Sequence, residues 1–440
     1  MLIRGGLVMD PESGRVGFCD VRTEGGKILE VAPNITLFPS EEIVSADGCI
    51  VAPGFVDLHV HFRDPGLTHK EDLSTGSLSA AAGGFTSVVC MANTKPVMDS
   101  SELVRGFYHK AGRVSIVNVF TVGSVTLGME GQKLTDFKAL KASGVVGFSD
   151  DGNPVENAAL MREAMEKAGE VGLSVIAHEG DLNLVADTIV NEGPISASLG
   201  LKGMPAAAED IHVARDIFLA ELTGLHVHIQ HVSSAISINL IRLAKTRGVN
   251  VTAEACPHHF SLTDEALLSY GTNAKMNPPL RDLANVAAVC QGLADGTLDV
   301  IATDHAPHTD EEKGTDLAKA PCGIVGLETA FGLVWTRLVK TGMLTPMQAL
   351  AKLTCYPARV IGFDKGTLKI GKDADITIFD PNLEWEVKPE EFFSKSRNTP
   401  FGGWRLHGRV VTTIVGGKVV YQLGRTGNPM EQRPAGKEKT

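Results

Sequence analysis

Eight short runs rich in β-branched residues recur through the middle of the chain, and each is followed by room for a helix. They read "GFVDLHVHF", "GFTSVVCMANT", "VSIVNVFTVG", "GVVGFSDDG", "LSVIAHEGD", "LHVHIQHVSS", "VNVTAEACPHHF" and "LDVIATDHAP". Amphipathic stretches such as "NAALMREAMEKAGEVG" and "ANVAAVCQGLADG" lie between them. Strand-then-helix alternation demands parallel strands with helices on the outside, and eight units are the count of a closed (β/α)8 barrel. A doubly wound sheet is the competitor, and eight units fit the closed barrel better.

The two ends behave differently. Residues 1–52 and 363–425 carry short strand-like runs with turns ("MLIRGGLVM", "GGKILEVAP", "DADITIFD", "GRVVTTIVGGKVVYQ") and no long helical pattern. The expected fold is therefore α/β: a TIM-type barrel over 53–362, with a small β-sandwich domain formed from both termini. Residues 426–440 are polar and are expected to be a frayed tail. A chain of 440 residues is long enough for that arrangement.

A net charge of −11 argues against nucleic acid or an anionic membrane surface as partner. No uncharged apolar run reaches transmembrane length, and the first residues lack the apolar core of a secretion signal. The seven cysteines are scattered without a CxxC pair, the pattern of reduced thiols in a cytoplasmic protein.

With strands placed, the polar residues fall into order. His59 and His61 are two apart on the first strand, so both side chains share a face. An HxH pair alone says little. The fourth strand, however, ends in Asp150 and Asp151, the fifth in His178, the sixth in His231 and the eighth in Asp304. The C-terminal ends of barrel strands converge on one rim, where active sites are built. Histidine and aspartate from five strands meeting there point to a dinuclear metal site. His226 and His228 share a face of the sixth strand but lie deeper, where core positions are expected. Asp57 is expected to orient a ligand histidine. His258 and His259 stay open between an approach to the site and structural hydrogen bonding.

The motifs "PGFVDLHVHFRDPG", "GGFTSVVCMANTKP", "GFSDDG", "MNPPLR" and "IATDHAPHT" resemble the bacterial dihydroorotases of the amidohydrolase superfamily. "GTLKIGKDADITIFD" and "NTPFGGWRLHGRV" resemble that superfamily's flanking β-domain. The resemblance implies two Zn²⁺ per subunit with a bridging hydroxide or water. His59 and His61 would bind one ion, His178 and His231 the other, and Asp151 would bridge them, with Asp150 as its competitor. Asp304 would bind the first metal and serve as the catalytic acid/base.

It also implies substrate contacts from Arg63, Asn93, Asn277, His308 and the backbone at Cys322 and Gly323. Cys322 stands where the family's usual "PFG" puts an aromatic, which leaves the packing of that loop open. The implied reaction is the reversible cyclisation of N-carbamoyl-L-aspartate to dihydroorotate in pyrimidine biosynthesis. The implied partners are that small molecule, a second subunit in a homodimer, and aspartate carbamoyltransferase.

Dihydropyrimidinases, hydantoinases and allantoinases share the barrel and the HxH, but their bridge is typically a carbamylated lysine. No lysine occurs between Lys141 and Lys167, so the end of strand four cannot supply one. A metal-free barrel kept as a structural partner would have lost ligand histidines, and every expected position is filled here.

Overall fold

The computed structural model describes residues 1–185 and 189–424. The tail expected over 426–440, and residue 425 at the end of the β-domain, lie outside the described residues.

The barrel closes through parallel neighbours all the way round. Its strands are Phe55–Val60, Phe85–Cys90, Asn118–Thr121, Val175–Ala177, Val227–Ile229, Val251–Ala255 and Val300–Ile301. These pair in parallel from the first to the third and from the fifth to the eighth barrel positions. A parallel bridge between Val60 and His305 joins the eighth position back to the first, with His61 N donating to His305 O at 2.9 Å.

The fourth position departs from expectation. "GVVGFSDDG" makes no extended strand and holds its place through single bridges from Phe148 to Gly123 and Val175. Hydrogen bonds still run both ways, from Gly123 N to Gly147 O (3.0 Å) and from Ile176 N to Phe148 O (2.8 Å). The ladder stops because the next residue but one, Asp150, turns its carboxylate back to accept Val125 N at 2.7 Å. The position is filled, but the chain is pulled off the ladder to cap a neighbouring loop.

The two quoted amphipathic stretches form helices Ala158–Glu170 and Leu283–Asp295. Asn157 and Asp282 cap their first turns by accepting backbone N–H groups, and Gly296, at φ +83°, ends the second in the left-handed conformation. Both sides of the barrel strands are covered, which is why they read as nearly unbroken apolar runs.

The termini build two further sheets. One orders its strands Lys418–Gln422, Arg405–Val415, Ile376–Glu386, Ile50–Pro53, Leu7–Asp10 and Arg15–Phe18. The second orders them Lys27–Ala32, Asp20–Glu24, Leu2–Arg4 and Ile43–Ser45. Ile3, Val8, Val21, Ile28, Val51, Ile376, Ile378 and Ile414 form a core separate from that of the barrel. Strand Ile50–Pro53 is the hinge of this design, since it pairs with both ends of the chain and runs straight into the first barrel strand. Among the described residues, no helix is long and apolar enough to cross a membrane.

Candidate metal centre

Six side chains arrive at one rim of the barrel and are all but sealed from solvent, between 0% and 7% exposed. His59 and His61 leave the first strand, Asp151 follows the fourth position, and His178 and His231 follow the fifth and sixth strands. Asp304 follows the eighth. His61 Nε2 lies 2.9 Å from Asp304 Oδ1, and His59 Nε2 lies 3.4 Å from both Asp304 Oδ1 and Asp151 Oδ1. Asp151 also reaches His61 Nε2 (3.5 Å), His178 Nδ1 (3.2 Å) and His231 Nε2 (3.5 Å). Asp151 therefore sits between the two histidine pairs. Asp150, its neighbour, is turned away and spends its carboxylate on Val125 N, Thr126 N and the Thr126 hydroxyl.

Backbone strain concentrates here. Six non-glycine residues among those described have positive φ, and three of them are Arg63 (+57°), His231 (+31°) and Asp304 (+46°). Such conformations cost free energy and persist where the surroundings fix them, commonly at functional sites.

The charges are strongly matched. Burial alone would lower the His59 pKa, but the Asp304 and Asp151 charges push it well above its ordinary value. Burial alone would raise Asp151, yet His59, His178 and His231 hold it well below the usual carboxylate range. Asp304 is likewise held down against burial, by His59 and His61. Two buried carboxylates thus draw positive charge into a pocket of imidazoles.

The donor set fits a divalent metal. Three overlapping groups bring three ligand atoms within 4.8 Å of one another: His59, His61 and Asp151; His59, His231 and Asp304; and Asp151, His178 and His231. His59 Nε2 is buried without a hydrogen-bond partner although it faces two carboxylates. His178 Nδ1 and His231 Nε2 converge to 2.8 Å, within hydrogen-bond distance of each other. Nitrogen and carboxylate oxygen together suit zinc and its first-row neighbours.

The remaining expected residues gather at the same mouth. Arg63 Nε donates to Pro307 O at 3.3 Å, and its Nη2 lies 3.3 Å from His308 Nε2. His308 Nε2 is also 2.9 Å from Cys322 O. Gly323 N donates to Lys275 O, and Asn277 Nδ2 lies 3.3 Å from His178 Nε2. Asn93 is brought in with both ends of its amide engaged: Oδ1 is 2.9 Å from His61 Nδ1, and Nδ2 donates to Asp151 Oδ2 at 3.2 Å.

Some residues were not legible beforehand. Glu254 Oε1 lies 2.9 Å from His59 Nδ1, so Glu254 orients the His59 ring. Asp57, expected in that role, instead accepts the backbone N–H groups of His59 and Thr303 and the Thr303 hydroxyl. It fixes the strand ends, and burial pushes its carboxyl up to about 7. The available signal for Glu254 was an acidic residue inside the apolar run "VNVTAEA". Asn398, far along the chain, ties the loops at 306–308 and 323 by donating to Ala306 O and Gly323 O and accepting His308 N. His258 and His259 are buried on a short helix, where His259 Nε2 donates to Pro278 O.

Comparison with known proteins places these residues in context. The family model described as dihydro-orotase-like matches residues 48–237, and the amidohydrolase family model matches 309–421. A dihydroorotase of Pelotomaculum thermopropionicum is 54% identical over 96% of this chain and 98% of its own. One from Geobacter sp. strain M21 is 50% identical over 96% and 100%. Among solved structures, the L-hydantoinase (dihydropyrimidinase) of Arthrobacter aurescens superposes with a TM-score of 0.87 at 24% identity, over 96% of both chains. The D-hydantoinase (dihydropyrimidinase) of Thermus sp. gives 0.82 at 27%, over 97% and 96%. The hydantoinase of Arthrobacter speaks to the fold alone.

Proposed function

Because the chain belongs to the dihydroorotase family of amidohydrolases, we propose that it interconverts N-carbamoyl-L-aspartate and dihydroorotate with loss or gain of water. The observation that carries the reading is the position of Arg63. Its guanidinium is half-buried at the mouth of the metal-ligand cluster, where desolvation lowers its pKa and the charges of Asp304 and Asp151 counter that effect. A cation there answers the one group that separates dihydroorotate from dihydrouracil, the ring carboxylate.

The metals are proposed to be two Zn²⁺ per chain. His59 and His61 with Asp304 would hold one, His178 and His231 the other, and Asp151 would lie between. Bound divalent ions supply Lewis acidity and a water of lowered pKa. The protein does the rest. Arg63, with Asn277 and His308, holds the substrate. In the hydrolytic direction Asp304 takes the proton of the attacking water and returns it to the departing ring nitrogen, as the ring carbonyl carbon–nitrogen bond breaks. In the cyclising direction the ureido nitrogen attacks the side-chain carboxyl carbon and a water leaves, with the same proton carried back. The sealed walls of the site exclude competing water.

A homodimer is proposed to form through two helices with exposed apolar residues. Helix Ala207–Thr223 exposes Ile211, Phe218 and Leu222 along one face, and the adjacent helix Ala235–Thr246 exposes Ile236 and Leu243. Pairing of two copies there would remove apolar surface from water.

The test is substrate discrimination. A two-pronged charge-assisted contact is worth roughly 1.5–3 kcal/mol per hydrogen bond. Arg63→Met is therefore expected to lower kcat/KM for dihydroorotate by about tenfold to a hundredfold. Bound metal should be unchanged, and any turnover of dihydrouracil should be little affected. Equal loss on both substrates would mean that Arg63 supports the site's architecture and does not read the carboxylate.

A further inference from the structure

We infer that Thr252 and His228 act through Glu254 as positioning residues for the metal centre, holding the His59 imidazole with its proton on Nδ1 and its free Nε2 toward the metal ligands. The inference rests on the metal-site reading above. It concerns a column of side chains inside the barrel that runs from the N-terminal mouth to the C-terminal rim.

The column follows from register. His226 and His228 are two apart on one strand, Thr252 and Glu254 two apart on the next, and His228 pairs with Thr252 across the parallel ladder. Period-two alternation then sends all four side chains to one face, the barrel interior. Each link is within hydrogen-bond distance. Ser174 Oγ lies 2.7 Å from His226 Nδ1, and His226 Nε2 lies 2.8 Å from Thr252 Oγ1. Thr252 Oγ1 lies 2.8 Å from His228 Nδ1, and His228 Nε2 lies 3.1 Å from Glu254 Oε2. Glu254 Oε1 lies 2.9 Å from His59 Nδ1 and accepts His231 N at 3.3 Å.

The protons along this column have a self-consistent assignment. A carboxylate only accepts, so Glu254 requires hydrogens on His59 Nδ1 and His228 Nε2. In this assignment the Thr252 hydroxyl donates to His228 Nδ1. Thr252 oxygen in turn accepts from His226 Nε2–H, and His226 Nδ1 accepts the Ser174 hydroxyl. Burial pushes His226 down to about 4, so that ring is neutral and can give one hydrogen bond and take one. No donor or acceptor along the column is left over.

Gln230 adds a constraint, because its Nε2 is placed 3.0 Å from His59 Nδ1 while Ser149 Oγ faces its Oε1. Two N–H groups cannot face each other, so the amide is read the other way round, which gives up a weak Nε2 contact to Met91 Sδ at 3.3 Å. Its oxygen then shares the Nδ1 proton, and its NH2 donates to Ser149. Everything around Nδ1 then accepts, and Nε2 is the nitrogen turned toward the carboxylates. That nitrogen is the buried, unpartnered atom facing Asp151 and Asp304.

His228 and Glu254 are 0% exposed, so an error in any one tautomer would leave a buried group unsatisfied. The column thereby links a threonine hydroxyl to His59 through two intervening side chains. Partners of this kind commonly contribute tenfold to a hundredfold in metal affinity.

The experiment measures Zn²⁺ affinity of the full chain by competition with a chromophoric chelator, alongside melting temperature. Glu254→Gln should weaken Zn²⁺ binding by about tenfold to a hundredfold, because its NH2 opposes one of the two ring donors. Thr252→Val keeps the shape and strand propensity but removes the hydroxyl, and should weaken binding by about threefold to tenfold. In the Glu254→Gln background the same Thr252→Val change should cost less than it does alone, since the column is already cut.

His226→Phe gives the same readout from lower in the column should Thr252→Val fold poorly. A lowered melting temperature with Zn²⁺ affinity within twofold of the parent would overturn the inference, as would independent, multiplicative effects of the two changes. Absence of Zn²⁺ binding by the parent protein would instead overturn the metal-site reading itself.

Discussion

Asp304→Asn is expected to reduce turnover of dihydroorotate by about 10² or more while zinc stays bound. The substitution preserves shape and one oxygen ligand but removes the capacity to accept a proton. Burial would raise the Asp304 pKa, but His59 and His61 hold it below the usual carboxylate range, and its Oδ1 lies 2.9 Å from His61 Nε2. Its left-handed backbone, at φ +46°, fixes where that carboxylate points, and asparagine tolerates the same conformation better than most residues. The loss would therefore report the proton and not a collapsed loop. Zinc must be quantified on the same sample, since a weakened ligand could mimic a lost base. An Asp304→Asn protein with full metal and near-parental turnover would remove the acid/base role.

The barrel was legible because eight buried parallel strands leave a signal that little else produces, repeated apolar runs with helical intervals. The convergence of His59, His61, Asp151, His178, His231 and Asp304 followed from it, since strand ends share a rim regardless of detail. What failed was anything that depends on register or on distant chain. The fourth run has the composition of a strand, yet Asp150 is drawn into a turn by Val125 and Thr126, and no local pattern announces that competition.

Asp57 was expected to orient a ligand ring because it precedes His59 by two residues. A side chain that near in sequence finds the backbone N–H of His59 first, at 3.1 Å. The ring is reached by Glu254, 195 residues away, because parallel strands across the barrel put it opposite. Asn398 escaped for the same reason, joining loops at 306 and 323 from a segment beyond the barrel. Motif resemblance identifies which residues gather, and cross-strand geometry decides which of them hold the others in place.

The neighbouring aspartates give the sharpest contrast available at this site. Asp151→Ala is expected to lower bound metal and to cut activity by about 10² or more, because the carboxylate between the two histidine pairs is gone and the remaining ligands no longer share an anion. Asp151 lies within 3.5 Å of His59, His61, His178 and His231, so its carboxylate is the group those four rings share. Asp150→Ala should behave differently. Its carboxylate, pushed up to about 6 by burial against the hydrogen bonds from Thr126 and Val125, faces the 123–126 loop and not the histidines. Removing it leaves buried N–H groups without an acceptor, a cost of about 1–3 kcal/mol in stability. The expected Asp150→Ala protein melts earlier but retains most of its metal. Metal analysis and melting curves on both variants decide the matter: metal lost from Asp150→Ala and kept by Asp151→Ala would move the bridge to Asp150, and with it the assignment of every histidine arranged around Asp151.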